Sequence, residues 1–418
     1  MSSKKKITVT KDDDKPELVP KLRFPEFREA KGWEQKTGNR LFDQINDRNP
    51  ESSLQVLAIT QEHGAIPRHM IDYHVSVTEK SIESYKVVQV GDFIISLRSF
   101  QGGIEYSQYQ GICSPAYVIL RRRIEGSDAY FKHYLKTDRF IQILTKNLEG
   151  LRDGKMVSYA QFSELFFPVP PPPEQQKIAD CLSSVDELIS AQARKLDALK
   201  THKKGLMQQL FPREGETQPR LRLPEFSNAP AWQRIRTGAL FRERVEKGYP
   251  EKTVLSATQE KGVIPYDLLG KSVIRDKQNL VGYKVVREGD FVISLRSFEG
   301  GFEYSAYEGI ISPAYVILER TEAIDDRFFQ KLFKSPPFII AIQNCLNNNL
   351  RDGKSISYKQ AGDLIMLIPT SIGEQQRIAD CITSLDDLIA AQTQKLETLK
   401  THKKGLMQRL FPSLEGEA

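Results

Sequence analysis

Little in this sequence is suited to catalysis at a metal, a thiol or a bound cofactor. Among 418 residues there are four cysteines and six histidines. Cys113, Cys181, Cys345 and Cys381 are widely scattered and form no CxxC pair, which excludes a thiolate zinc cluster. Reduced thiols in a cytoplasmic protein are the reading this favours over a disulfide scaffold. The histidines lack metal-ligand spacing, so no metal is expected. No run approaches the roughly 20 apolar residues needed to cross a bilayer, so no membrane is expected. The opening MSSKKKITVTKDDDKPELVP has basic residues with no apolar run behind them, which predicts a solvated tail and not a secretion signal. Excess charge is scarce too: 60 Lys and Arg against 54 Asp and Glu leave +6. That balance permits a nucleic-acid partner without requiring one.

What the chain does have is repetition. KLRFPEF followed by Trp33 returns as RLRLPEF followed by Trp232. The stretch from Tyr85 to Leu120 returns from Tyr283 to Leu318, and LRDGK at Leu151 returns at Leu350. EQQKIADCLSSVDELI at Glu174 returns as EQQRIADCITSLDDLI at Glu374, and THKKGLMQ closes both copies. A period of about 200 residues is too long for a solenoid, whose repeats run to roughly 50. Each copy is a complete domain followed by a helix. The β-rich VVQVGDFIISL and SPAYVIL, broken at Gly and Asp and followed by short amphipathic helices, read as α+β.

The helices carry a heptad seam. Ile178, Leu182, Val185, Ile189, Gln192, Leu196, Leu199, Lys203, Leu206 and Leu210 step alternately by four and three. The second copy repeats the pattern with Ile378, Ile382, Leu385, Ile389, Gln392, Leu396, Leu399, Lys403, Leu406 and Leu410. Pro171 to Pro173 set the start of the first helix and Pro212 stops it. About 37 residues at 1.5 Å each make a rod of roughly 55 Å. The first helix must deliver the chain to the second domain. A second helix packed along it must run back, which predicts an antiparallel coiled coil with pseudo-twofold symmetry. Gln192 and Gln392, near mid-seam, either fix register or reach solvent.

The segments SELFFPVPPPPEQQKIADCLSSVDELI and DLIMLIPTSIGEQQRIADCITSLDDLI resemble the domain-to-helix junctions of Type I restriction-modification specificity subunits. In that family a strand ends in prolines, and Glu-Gln-Gln with Ile-Ala opens the long helix. The resemblance runs from about Lys21 to Pro412, and the second copy departs from it at Ile372 and Gly373, where the first has prolines. It implies a non-catalytic subunit with target recognition domains at 21–170 and 220–369, and spacer helices at 171–212 and 370–412. Residues 213–219 become a linker, and 1–20 and 413–418 tails. It further implies double-stranded DNA, two methyltransferase subunits and restriction (translocase) subunits as partners, with no cofactor in this chain. Methyl transfer, base flipping and ATP use would belong to those partners.

Three segments then become candidate DNA contacts. LRSFQGGIEYS and LRSFEGGFEYS offer Arg98 and Arg296 for bidentate contact to guanine, and Gln101 for adenine. Ser99 and Ser297 share the loop; Gly102, Gly103, Gly300 and Gly301 allow backbone to approach a groove. Tyr106 and Tyr304 can pack on sugar or phosphate. The alternative is a glycine hairpin whose arginine pairs with Glu105 or Glu303. LRDGKMVSY and LRDGKSISY offer Arg152, Lys155, Ser158 and Tyr159, with Arg351, Lys354, Ser357 and Tyr358, as phosphate donors or as an ordinary turn. Thr60 and Gln61, with Thr258 and Gln259, either reach bases or end a polar strand. Lys203, Lys204, Lys403 and Lys404 face solvent, phosphate or a partner. Loops so alike predict two related half-sites in inverted orientation. Gln101 against Glu299 is the main polar difference between them, favouring adenine in one and cytosine in the other.

Fragments that imitate catalytic motifs fail on inspection. Ser335 to Phe338 reads SPPF, like an amino-methyltransferase motif, but the first copy lacks both prolines and no glycine-rich AdoMet loop is present. Gly353 to Ser355 suggests a phosphate loop, but Asn348 stands where its first glycine belongs. The rivals to DNA reading are a coiled-coil adaptor that binds only proteins and a self-sufficient methyltransferase.

Overall fold

The apolar runs shared by the two copies form short antiparallel strands. The computed structural model describes residues 18–48, 54–71, 82–146, 157–213, 215–270, 280–295, 297–347 and 356–412. In the first copy these include β1 Glu34–Thr37, β2 Phe42–Ile45, β3 Leu57–Thr60, β4 Gly64–Pro67 and β5 Lys86–Val88. They continue with β6 Phe93–Ile95, β7 Glu105–Tyr106, β8 Gly111–Cys113, β9 Val118–Arg122 and β10 Phe166–Val169. A four-stranded sheet runs in the order β2-β9-β6-β7, with β1-β10, β3-β4 and β5-β8 as separate pairs. The second copy repeats the order, from β11 Gln233–Arg236, β12 Phe241–Glu243, β13 Leu255–Thr258, β14 Gly262–Pro265 and β15 Lys284–Val286. It ends with β16 Phe291–Ile293, β17 Glu303–Tyr304, β18 Gly309–Ile311, β19 Val316–Arg320 and β20 Ile365–Ile368. Its sheets are β12-β19-β16-β17, β11-β20, β13-β14 and β15-β18.

Two compact units emerge, Met1–Gln192 with Lys395–Ala418, and Ala193–Gln394. Each is α+β and holds half of each long helix. In the first, Phe42 meets the edges of Phe93, Phe131 and Phe162 at 5.5, 5.1 and 5.7 Å between ring centres. Ile178, Ala179, Leu182, Leu410 and Phe411 join that same core. In the second, Phe241 meets Phe291 and Phe329, and Met207, Leu210, Phe211, Ile378 and Ile382 share the core. Edge-on aromatic pairs add about 0.5–1.5 kcal/mol each beyond burial, and the helix ends share this aromatic core in each unit.

Two repeated motifs that lie 151 residues apart turn out to be one lock. Arg23, from KLRFPEF, donates twice to Glu174 at 2.8 Å, and also to the carbonyls of Ala30 and Lys31. Gln175 accepts from the Ser127 amide at 3.0 Å and donates to the Pro170 carbonyl at 2.8 Å. Glu174 is fully buried, and a buried charge is tolerated only when fully paired and hydrogen-bonded. The second unit repeats this with Arg222 on Glu374 at 2.8 and 2.7 Å, and Trp232 Nε1 adds a third donor at 3.0 Å. The Glu-Gln-Gln signature therefore fastens domain to helix.

The long helices are Pro172–Leu210 and Ile372–Leu410, 39 residues each. The second starts at the position equivalent to the first although it has no prolines there. Glu174 and Glu374 both donate their amides to the carbonyl three residues earlier, at 2.9 and 3.1 Å, so the first turn forms with or without proline. Every seam position named above is buried or half-buried, Gln192 and Gln392 included. Within the first unit Lys403 pairs with Asp186 at 2.6 Å, while residues before Asp186 share a core with residues after Lys403. The half-helices in that unit therefore run antiparallel. Lys203 pairs with Asp386 in the same way in the second unit. Lys203 and Lys403, considered as phosphate contacts, are instead helix-pairing residues.

Candidate nucleic-acid interface

The β3–β4 hairpin is closed by Thr60. Its hydroxyl donates to the Gly64 carbonyl at 3.1 Å and accepts the His63 amide at 3.0 Å. Thr258 does the same with Gly262 and Lys261, at 2.9 and 3.1 Å. These threonines shape the turn, in keeping with the polar strand end that was the alternative to base contact. The closed turn leaves Gln61, Glu62 and His63, and in the second unit Gln259, Glu260 and Lys261, exposed at the tip.

The loop after β6 folds against that tip. The Ser99 hydroxyl accepts the Ser96 amide at 2.9 Å, and Ser297 accepts that of Ser294 at 2.8 Å. Both serines are buried, so neither is free to touch DNA as expected. Gln61 Nε2 donates to the Arg98 carbonyl at 3.3 Å, so two candidates 37 residues apart in sequence meet here. In the second unit Gln259 reaches Glu299 at 3.4 Å. Gly103 has φ +81°, and a Cβ there would stand 2.2 Å from the Leu135 carbonyl oxygen. Gly301 matches it, with φ +79° and 1.8 Å to that of Phe333. A Cβ on Gly102 or Gly300 would meet Gln61 or Gln259 at under 3 Å. The close approach expected toward DNA is thus toward the domain itself.

A residue absent from the expected set holds this junction. Lys136 Nζ donates to Glu105 at 2.5 Å, to the Gly102 carbonyl at 2.9 Å and to the Gln61 carbonyl at 3.5 Å. Lys334 repeats the bonds to Glu303 at 2.5 Å and Gln259 at 3.3 Å. Burial pushes the Glu105 carboxyl up and the Lys136 ammonium down, each partly opposed by the other. The only sequence signal was a lysine kept at the same place in YLKTD and LFKSP. This pairing disposes of the alternative for Arg98. Glu105 is 1% exposed and already matched to Lys136, whereas Arg98 is exposed and makes no ion pair among the described residues.

Other expected contacts lie elsewhere. The Tyr106 ring packs on Phe93 at 5.2 Å, and Tyr304 on Phe291 at 5.4 Å, both half-buried against the cores. Tyr159 donates to the Phe42 carbonyl at 2.9 Å and Tyr358 to that of Phe241 at 3.1 Å, so these phenols are internal fastenings. Ser158 and Ser357 are helix N-caps in capping boxes with Gln161 and Gln360. Arg152, Lys155, Arg296, Arg351 and Lys354 lie outside the described residues.

What remains is an open groove in each unit. In the first it is lined by Gln61, His63, Met70, Leu97, Arg98 and Tyr117, with a volume of about 740 Å³. In the second, Gln259, Lys261, Leu268, Leu295 and Tyr315 line one of about 640 Å³. Exposed amides and a guanidinium beside a groove can read base edges, and nothing in it resembles a nucleophile–base pair. Among the described residues no His, Cys, Asp and Glu side chains gather as a metal site would, and no helix is long and apolar enough to cross a membrane.

An exposed polar groove on a small antiparallel sheet, locked to paired half-helices, defines a helix-linked recognition module. Comparison with known proteins agrees. The Type I restriction modification DNA specificity domain matches residues 42–201. The MjaVIII specificity subunit of a Type I restriction enzyme from Methanocaldococcus jannaschii is 25% identical over 361 residues, 81% of each chain. A putative MjaX specificity subunit from the same organism is 23% identical over 360 residues, 82% of each. Among solved structures, the Type I S subunit from M. genitalium aligns with 95% of this chain and 100% of its own, at 16% identity and a TM-score of 0.54. A chain from a Type I complex described in terms of assembly and conformational transition aligns with 91% of this chain and 98% of its own, also at 16%, with a TM-score of 0.53. Together these similarities support an HsdS-like protein, one that resembles the specificity subunits of Type I restriction enzymes over about four fifths of its length.

Proposed function

We propose that the groove of each unit reads one half of a split, near-palindromic duplex DNA target. In this reading Arg98 contacts a guanine edge, with Gln61 and Gln101 beside it. In the second unit Gln259 and Glu299 take the corresponding places. Two methyltransferase subunits join the chain, restriction subunits complete the assembly, and the chain itself holds no cofactor or metal. The observation that carries the proposal is the exposed, unmatched guanidinium of Arg98, set on a loop whose carboxylate is taken by Lys136. A structural arginine would have been given that buried carboxylate. Salt-sensitive affinity is expected from phosphate contacts, and sequence choice from the groove.

The test is to co-express the chain with its methyltransferase subunits in a methylation-free host and map modified adenines. A two-part motif is expected. Arg98→Ala should relax one position in one half, since a bidentate base contact discriminates by about 1–3 kcal/mol. A motif identical in the variant would contradict the assignment.

A further inference from the structure

Polar readout leaves one feature of both grooves without a role. Leu97 is 53% exposed and Met70 54%, while their repeat equivalents Leu295 and Leu268 are 50% and 61% exposed. All four line the grooves described above. Large apolar side chains left in water beside a polar rim mark interaction sites. The surroundings have diverged between the copies: Arg68-His69 stands where the second copy has Tyr266-Asp267, His63 where it has Lys261, and Gln101 where it has Glu299. The apolar character at these two places has not. Neither residue belongs to a hydrophobic cluster of its unit, so the fold does not require it.

The neighbours indicate the occupant. Leu97 adjoins the exposed cationic Arg98, and Met70 faces the same groove as Gln61. A wall that alternates donor and apolar groups suits a major-groove edge, where thymine alone among the natural bases presents a methyl group. An exposed cation in that wall also favours a polyanion over an apolar protein face. We propose that Leu97 with Met70, and Leu295 with Leu268, are specificity-determining contacts to the C5-methyl of a thymine. Each half-site then contains a T·A pair next to the base read by the polar groups. This rests on the groove reading above and adds a base identity to it.

The experiment uses the assembled complex with its methyltransferase subunits. Each thymidine of the mapped target is replaced singly by deoxyuridine, which removes only the methyl. One replacement in each half should weaken binding, by about fourfold for loss of a single buried methyl. Leu97→Ala should bind thymidine and deoxyuridine duplexes equally in its own half, with the penalty in the other half unchanged. Leu295→Ala should show the mirror result, and Met70→Ala a partial version of the first. Indifference of the wild-type complex to every deoxyuridine would overturn the proposal. So would a full penalty retained by Leu97→Ala, or failure of that folded variant to assemble with methyltransferase subunits, which would assign the apolar pair to protein docking. The two levels fail separately. If Arg98→Ala leaves the motif intact, the groove reading falls; if it relaxes the motif while deoxyuridine has no effect, only the thymine contact falls.

Discussion

The two units are copies with the same topology, yet they solve the same local problems with different residues. Asp92 and Asp290 occupy the same buried turn. In the first unit the partner is Arg121 from β9, at 2.8 Å; in the second it is Arg244, the residue that follows β12, at 2.8 Å. The position equivalent to Arg121 is Glu319, which now also pairs with Arg244. The junction of domain and helices differs as well. Asp386 receives both Lys331 and Lys203, whereas Asp186 receives Lys403 and faces His133. The carboxylates thus keep their places in both copies, while the cations that match them come from different positions along the chain.

The largest effect is expected at the lock. Arg23→Ala leaves Glu174 buried without its ion-pair partner, and should cost about 3–5 kcal/mol in urea unfolding. Arg222→Ala should cost less, because Trp232 still donates to Glu374 and Arg222 is more exposed than Arg23. Equal losses would break the comparison.

Next comes a pH effect confined to the first unit. Burial first, and then Lys403, lower the His133 pKa to about 4 from an ordinary 6.5. The folded state holds this ring neutral while the unfolded chain protonates below about 6.5. Its contribution is therefore complete above that pH and declines as pH falls from 6.5 toward 4, by at most about 3 kcal/mol. At Asp386 burial alone would raise the pKa, but hydrogen bonds from Lys203 and Lys331 outweigh it and hold the carboxyl below its usual range. That contribution is lost only at lower pH, as the carboxyl protonates. His133→Lys, which copies the second junction, should flatten the melting-temperature profile between pH 4 and 6.5 relative to wild type. An unchanged slope would refute the assignment.

A smaller effect is expected at the turns. Thr60→Val and Thr258→Val remove the hydroxyl that closes each hairpin, and should each cost about 1 kcal/mol in stability. Any change in the mapped motif should be confined to the half read by the altered unit.

Much of this was legible in the sequence, and the reasons differ by feature. The repeat, the α+β units and the heptads were visible because each rests on local pattern, whether alternation, period or direct copying. The start of the second helix was obscured because proline had been taken as the signal, when a backbone turn at Ser371 suffices. The lock was hidden because Arg23 and Glu174 lie 151 residues apart. The placement of the candidate residues was legible only in part. Gln61, Arg98 and Gln101 were named from chemistry and lie exposed, but Ser99, Thr60 and Tyr159 carry similar polar atoms and use them internally. Residue type cannot distinguish a hydroxyl that closes a turn from one that meets a ligand. Lys136 escaped because a lone lysine between two helices looks like surface.

The central claim is that each groove reads its own half-site, and the most direct measurement exchanges their polar differences. The double variant His63→Lys with Gln101→Glu gives the first groove the tip and loop residues of the second. Mapping methylated adenines in the complex should show one half of the motif shifted toward the sequence of the other, with the other half unchanged. A motif unaltered in both halves, or altered in both together, would contradict the account.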